Sequence, residues 1–137
     1  MGITYAKVTI KNITAPKRSF TEQFLVDTGA TDTLVPARLL RQIGIRPTGR
    51  RTYALATGRR RYRVGHALFA LEGDETAGDV VFGKDEDEPL LGLTVLESLG
   101  LVVDPVRRRL VRVEGIPLKR ITRKRNSSSV RSAGSAR

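Results

Sequence analysis

The sequence predicts an all-β domain with two short helices. Three observations predict it. Alternating apolar and polar segments rich in β-branched residues recur along the chain. Turns containing Gly, Pro or Asp separate them about every 8–12 residues. Only two windows carry the spacing of a helix, and both are short. This pattern suits a closed β-barrel-type or sandwich-like domain.

Taken in order, residues 3–10 alternate and form a strand, and residues 12–18, with Pro16, form a turn. Residues 19–26 make a second strand that ends at Asp27. Pro36 opens a short helix in which Leu39, Leu40 and Ile43 share one face. Proline suits the first turn and Gly44 stops the helix. Residues 51–56 and 59–71 read as strands joined at Thr57-Gly58, a hairpin with glycine at the tight position. Residues 72–78 read as a turn, followed by a short buried strand, Val80-Val81-Phe82. The run Lys84-Asp85-Glu86-Asp87-Glu88 reads as a solvated loop, because adjacent carboxylates on a loop lack the convergence that a metal site needs. Residues 94–99 form the second helix, ended by Gly100. Residues 101–103 and 109–113 are a last strand pair turning at Asp104-Pro105.

The chain has 137 residues, enough for one domain with a modest core. It has no cysteine and a single histidine, His66, which removes disulfides, thiolate metal sites and Cys-His catalysis. Neither a metal nor another cofactor is expected, and His66 reads as a strand-surface residue. No run of 18 apolar residues occurs and the first residues lack a signal-peptide core, so the expectation is a cytoplasmic protein without membrane contact. The net charge of +11 is uneven. Up to residue 115 the chain holds 18 Lys and Arg against all 14 acids, whereas residues 116–137 hold seven basic residues and no acid. The expected organisation is a folded domain over 1–116 and a basic tail over 117–137. Few large apolar groups in that tail can offset its ordering entropy, so disorder is expected there, with weak, salt-dependent polyanion binding.

One stretch organises the rest: Phe24-Leu25-Val26-Asp27-Thr28-Gly29-Ala30-Thr31-Asp32-Thr33-Leu34-Val35-Pro36. A carboxylate this close to core-grade residues is costly unless it is hydrogen-bonded or shares a proton. Gly29 allows a tight turn and close approach of a ligand, and Thr28 brings a hydroxyl. Asp-Thr-Gly alone is equally an ordinary turn. A second stretch, Pro89-Leu90-Leu91-Gly92-Leu93-Thr94-Val95-Leu96-Glu97-Ser98-Leu99-Gly100, changes the weighting. Together, in this order and spacing, the two resemble the retropepsin-like aspartic peptidases, and the small cellular and prokaryotic single-domain type more than the viral enzymes.

The resemblance covers most of residues 3–113 and implies an aspartic endopeptidase, a hydrolase acting on a peptide or protein substrate. Peptide hydrolysis of this kind needs two carboxyls, one as base on a water and one as acid. The chain holds one Asp-Thr-Gly, so the resemblance implies a symmetric homodimer in which Asp27 of each copy meets on the two-fold axis. It further implies that Thr28 reaches the partner loop, that Gly29 lets substrate backbone pass, and that Ala30 lines the pocket. Ala56, Thr57 and Gly58 would form the flap tip and Tyr53 would bring a hydroxyl to the pocket wall, although a half-buried strand aromatic accounts for Tyr53 equally well. Leu90, Leu91 and Gly92 would support the loop from behind. Two departures stand out: Thr31 where the viral enzymes have an acid, and Leu93 where they have an arginine. These viral residues pair with each other, so their joint loss leaves no orphan charge. The hairpin tip also has one glycine where the viral tip has several.

Two other readings compete. A retropepsin-like domain without activity would serve as a dimerisation or peptide-binding module. A basic nucleic-acid-binding protein is suggested by the tail and by Arg50, Arg51, Arg59, Arg60, Arg61 and Arg63 around the hairpin. An aromatic content of 5%, without basic–aromatic interleaving, argues against a stacking platform. The six arginines read first as a solvated strand face and second as a rim steering acidic substrates.

Overall fold

The structure, a computed structural model, describes residues 2–116; the division from a tail at 117 lies outside the described residues. Nine strands and two helices appear there: β1 (Tyr5–Lys11), β2 (Ser19–Val26), β3 (Thr33–Pro36), α1 (Ala37–Gln42), β4 (Gly49–Leu55), β5 (Gly58–Leu71), β6 (Asp74–Gly83), β7 (Leu90–Leu91), α2 (Leu93–Ser98), β8 (Leu101–Asp104) and β9 (Arg109–Arg112). The all-β expectation with two short helices holds.

Seven strands form one sheet in the order β1-β2-β7-β3-β6-β5-β4. β1 also pairs with β5 over Thr9–Lys11, which bends the sheet back on itself. β8 and β9 pair separately. The inward faces and the helices bury one core in which Val8, Ile10, Phe24, Val35, Leu40, Phe69 and Leu91 are fully enclosed. Alternation explains why: Ala6, Val8 and Ile10 point inward from β1 while Tyr5, Lys7 and Thr9 point out or lie at the rim.

The arrangement that places the site is the insertion of β7 between β2 and β3. β2 runs parallel to β7, pairing Leu25 with Leu90 and Val26 with Leu91, and β3 runs antiparallel to β7 through Leu34 and Leu90. Residues 27–32 therefore bridge two strands that are not neighbours, crossing the end of the strand between them.

Some expectations are corrected. Residues 72–78 are not a turn: Glu72 and Gly73, both at positive φ (51° and 76°), make a two-residue hairpin turn, and β6 begins at Asp74. Such a turn matches strand twist, and the polar residues that suggested a loop are the first half of a ten-residue strand, unburied on both faces. Pro36 is the last residue of β3 and precedes α1 rather than opening it. The tip of the β4–β5 hairpin is Ala56-Thr57, with Gly58 (φ 131°) already paired to Leu55.

Candidate active site

Asp27 follows β2 directly, and its environment is made by backbone. Its own N–H donates to the Leu91 carbonyl at 3.0 Å, and the Ala30 N–H donates to the Asp27 carbonyl at 3.1 Å. The Gly29 N–H donates to Asp27 Oδ1 at 2.9 Å, so the loop's own amide orients the carboxylate. The carboxylate-bearing residue is half-buried, and Thr28 and Gly29 stand exposed at the tip.

The second stretch holds this loop from behind. Leu93 and Thr94 donate their amides to the carbonyls of Ala30 and Thr31 at 2.8 and 3.1 Å. The fully buried Thr33 hydroxyl accepts the Gly92 N–H at 3.0 Å. A Cβ on Gly92 would stand 2.5 Å from both the carbonyl carbon and the oxygen of Asp32, so no other residue fits without moving the loop. Leu91 is enclosed in the core and Leu90 turns toward the cavity beside Asp27.

That cavity measures about 550 Å³ and lies between the loop and the β4–β5 hairpin. Asp27, Gly29, Ala30 and Asp32 line one side; Tyr53, Leu55 and Ala56 line the other; Leu34, Val81 and Leu90 form its apolar floor. Asp27, Gly29, Ala30, Tyr53, Ala56 and Leu90 are thus brought together, while Thr28, Thr57, Gly58, Leu91 and Gly92 do not line the cavity. Thr28 instead faces a second cavity of about 530 Å³ on the other side of Asp27, lined also by Ile3, Val26, Val103 and Pro105.

Sequence reasoning missed the side chains that join hairpin to loop. Tyr53 donates its hydroxyl to Asp32 Oδ2 at 2.5 Å, and Arg51 Nη1 donates to the same oxygen at 3.0 Å. Arg51 also bridges to Asp79 Oδ2 at 3.1 Å, whose other oxygen meets His66 Nδ1 at 3.1 Å. The Asp32 side chain is only 10% exposed, which accounts for its two partners. Partial burial, and then the hydrogen bond to the Asp32 carboxylate, push the Tyr53 phenol up to about 12. Bonds to Asp79, Tyr53 and Asp32 raise the Arg51 guanidinium further above its already high value. Tyr53 is therefore both half-buried and a hydroxyl at the cavity wall. Among the described residues no group of three or more His, Asp and Glu is arranged to hold a metal ion.

The family model described as "gag-polyprotein putative aspartyl protease" matches residues 17–98, more than half of the chain. The chain belongs to this retropepsin-like aspartic protease family. A retropepsin-like aspartic protease from Rickettsia conorii aligns with 26% identity over 75% of this chain and 77% of that one, at a TM-score of 0.52. The retroviral protease-like domain of Ddi1 from Leishmania major aligns over 82% of this chain and 89% of its own, at 19% identity and a TM-score of 0.55. The EIAV protease bound to the inhibitor HBY-793 aligns over 72% and 89%, at 17% identity and 0.55. These last two show the shared retropepsin-like fold. No curated protein sequence matches the chain. The loop at 27–30 follows β2, and Leu90 and Leu91 form β7, which pairs beside β2.

Proposed function

We propose that the protein is an aspartic endopeptidase whose active form is a homodimer, with the two Asp27 carboxyls sharing one proton across the axis. The observation that carries this reading is Asp27 itself: a carboxylate oriented by its own loop, at the mouth of a 550 Å³ cavity, flanked on its other side by a second cavity. Ile3, which lines that second cavity, is 63% exposed, which supports burial against another copy.

In the dimer one Asp27, ionised, takes a proton from water while the other, protonated, polarises the scissile carbonyl and then donates to the leaving nitrogen. Thr28, exposed beside the second cavity, reaches the partner loop in that dimer. Ala30 and Gly29 leave room for substrate backbone. The hairpin through Ala56-Thr57-Gly58 covers the bound segment and excludes water, and Tyr53 holds it to Asp32.

The test compares the wild-type chain with Asp27→Asn on a mixed peptide library between about pH 4 and pH 7, with association state measured by sedimentation. Asn keeps the shape and cannot share the proton. We expect cleavage by wild type to fall by roughly 10³-fold or more in the variant. Folded, self-associated wild type that cleaves nothing would leave a peptide-binding module in place of an enzyme.

A further inference from the structure

A cavity of about 660 Å³ lies apart from Asp27, sharing no residue with the cavity described above. It is bounded by the end of α1 and the segment after it, by residues 60–63 of β5, and by the end of β6. Half of the residues lining it are arginine or lysine and none is acidic. The cations come from four places in the chain: Arg18, Arg41 and Arg46, the run Arg60, Arg61 and Arg63, and Lys84. Among the described residues none of them makes a salt bridge, although Lys11, Arg51, Arg107 and Arg112 do. Arg18 is held in place by donating to the Gln42 carbonyl at 3.1 Å. The nearby acidic run does not enter: Asp87 accepts the Lys84 backbone N–H at 2.7 Å and does not line the cavity.

The hairpin strengthens this charge at its own expense. Arg50 and Arg63 pair directly across β4 and β5, with Arg61 and Arg59 following at alternate positions opposite Thr52 and Ala54. Like charges facing each other across a strand pair are destabilising. Arg59, Arg61 and Arg63 repeat along one face at about 6.7 Å, two residues of strand rise. Arg61 and Arg63 line the cleft and Arg59 continues their row beyond it, so concentrated, unneutralised positive charge in a concave site calls for a ligand that carries several negative charges.

We infer that this cleft binds a single-stranded nucleic acid by its phosphodiester backbone. Three observations favour phosphates over the carboxylates of an acidic polypeptide. The cations are almost all arginine, whose planar fork matches phosphate bidentately. The apolar residues of the floor, Ile45 and Phe82, are already buried in the core and offer no pocket for peptide side chains. Tyr62 borders the cleft from the face of β5 opposite Arg61 and Arg63, with the Arg60 guanidinium 5.0 Å from its ring centroid, a guanidinium–aromatic pair of the kind on which a base emerging from the cleft stacks. Tyr62 packs edge-on against Tyr53, with ring centroids 5.9 Å apart, so the cleft and the Asp27 cavity meet through two tyrosines.

The experiment titrates a labelled oligothymidylate with the full chain by fluorescence anisotropy at several salt concentrations. Two triple variants each remove three charges: Arg46→Gln, Arg61→Gln, Arg63→Gln in the cleft, and Lys119→Gln, Arg120→Gln, Arg123→Gln in the tail. The cleft variant is expected to lose at least tenfold in affinity, and its log–log salt slope to flatten by about 2, from roughly 0.7 per phosphate contact. The tail variant is expected to lose less than threefold, and Asp27→Asn to bind as wild type does, which separates this site from catalysis. Equal losses in the two triples, or a larger one in the tail, would overturn the inference. Poly-glutamate binding as tightly as the oligonucleotide would also overturn it, assigning the cleft to acidic polypeptides. Phenylglyoxal modification of the unmutated chain guards against misfolding of the variant. Arg61 and Arg63 should be protected by the oligonucleotide, and the absence of protection refutes the site.

Discussion

The loop carrying Asp27 and the hairpin facing it share one cavity but are held in different ways. The loop is tied by main-chain bonds to Leu91, Leu93 and Thr94 and by a buried threonine, all continuous with the core. The hairpin tip is exposed on both faces and reaches the loop through two side chains that converge on a single oxygen of Asp32. Backbone bonds backed by core packing open only with sub-global unfolding, whereas side-chain bonds at a rim exchange locally. The molecule thereby separates the geometry of its carboxylate from access to it. One region is made rigid; the other is latched.

The hardest way to break this contrast is to strike the support. Gly92→Ala places a methyl group against the backbone of Asp32, and overpacking of this kind should destabilise the fold by about 2–3 kcal/mol. Thermal denaturation would show it as a clear drop in midpoint. A variant that melts with wild type would mean that the loop is as adjustable as the hairpin.

Asp32→Asn sharpens the contrast from the other side. It removes the charge facing Arg51 and weakens the acceptor of Tyr53, for about 1 kcal/mol of hairpin anchoring and little of global stability. Amide exchange should accelerate by roughly fivefold in β4 and the first half of β5 while the amides of Asp27 and Ala30 stay as protected as before. Equal acceleration in both regions would erase the distinction.

The smallest effect is the pH dependence of the latch. The Tyr53 phenol is raised from 10.0 to about 12, so the fold favours its protonated form. Its contribution is complete below pH 10 and is lost as pH rises through about 12. The tyrosinate absorbance of wild type should show a late step near 12 that Tyr53→Phe removes. An unchanged titration would place Tyr53 in solvent.

Local pattern was legible wherever one face meets the core. The bounds of β2 follow from its approach to Asp27, the first helix from Leu39, Leu40 and Ile43 ahead of Gly44, and the end of the second from Gly100. Legibility failed at 72–78, where the first half of β6 is unburied on both faces, carries Asp74, Glu75, Thr76 and Asp79, and so imitates a loop. It also failed for the latch. Asp32 stands 19 residues from Arg51, and Arg51 28 from Asp79, and no local periodicity links residues that far apart. Arg51 was indistinguishable in the sequence from its five arginine neighbours. Only pairing across the cavity singled it out.

By itself the sequence determined the chemistry available: one loop carboxylate with its hydroxyl and glycine, a glycine behind it, and an excess of arginine in one stretch. These depend on residue type and on backbone preferences over a few positions. Tertiary structure alone decided that β7 lies between β2 and β3, that Asp32 latches the hairpin, and that cations from four segments converge on one cleft. The physical reason is that a strand's alternation states which face is buried and says nothing of its neighbour. The neighbour is chosen by the packing of the whole core, and the convergence of distant charges follows from that choice.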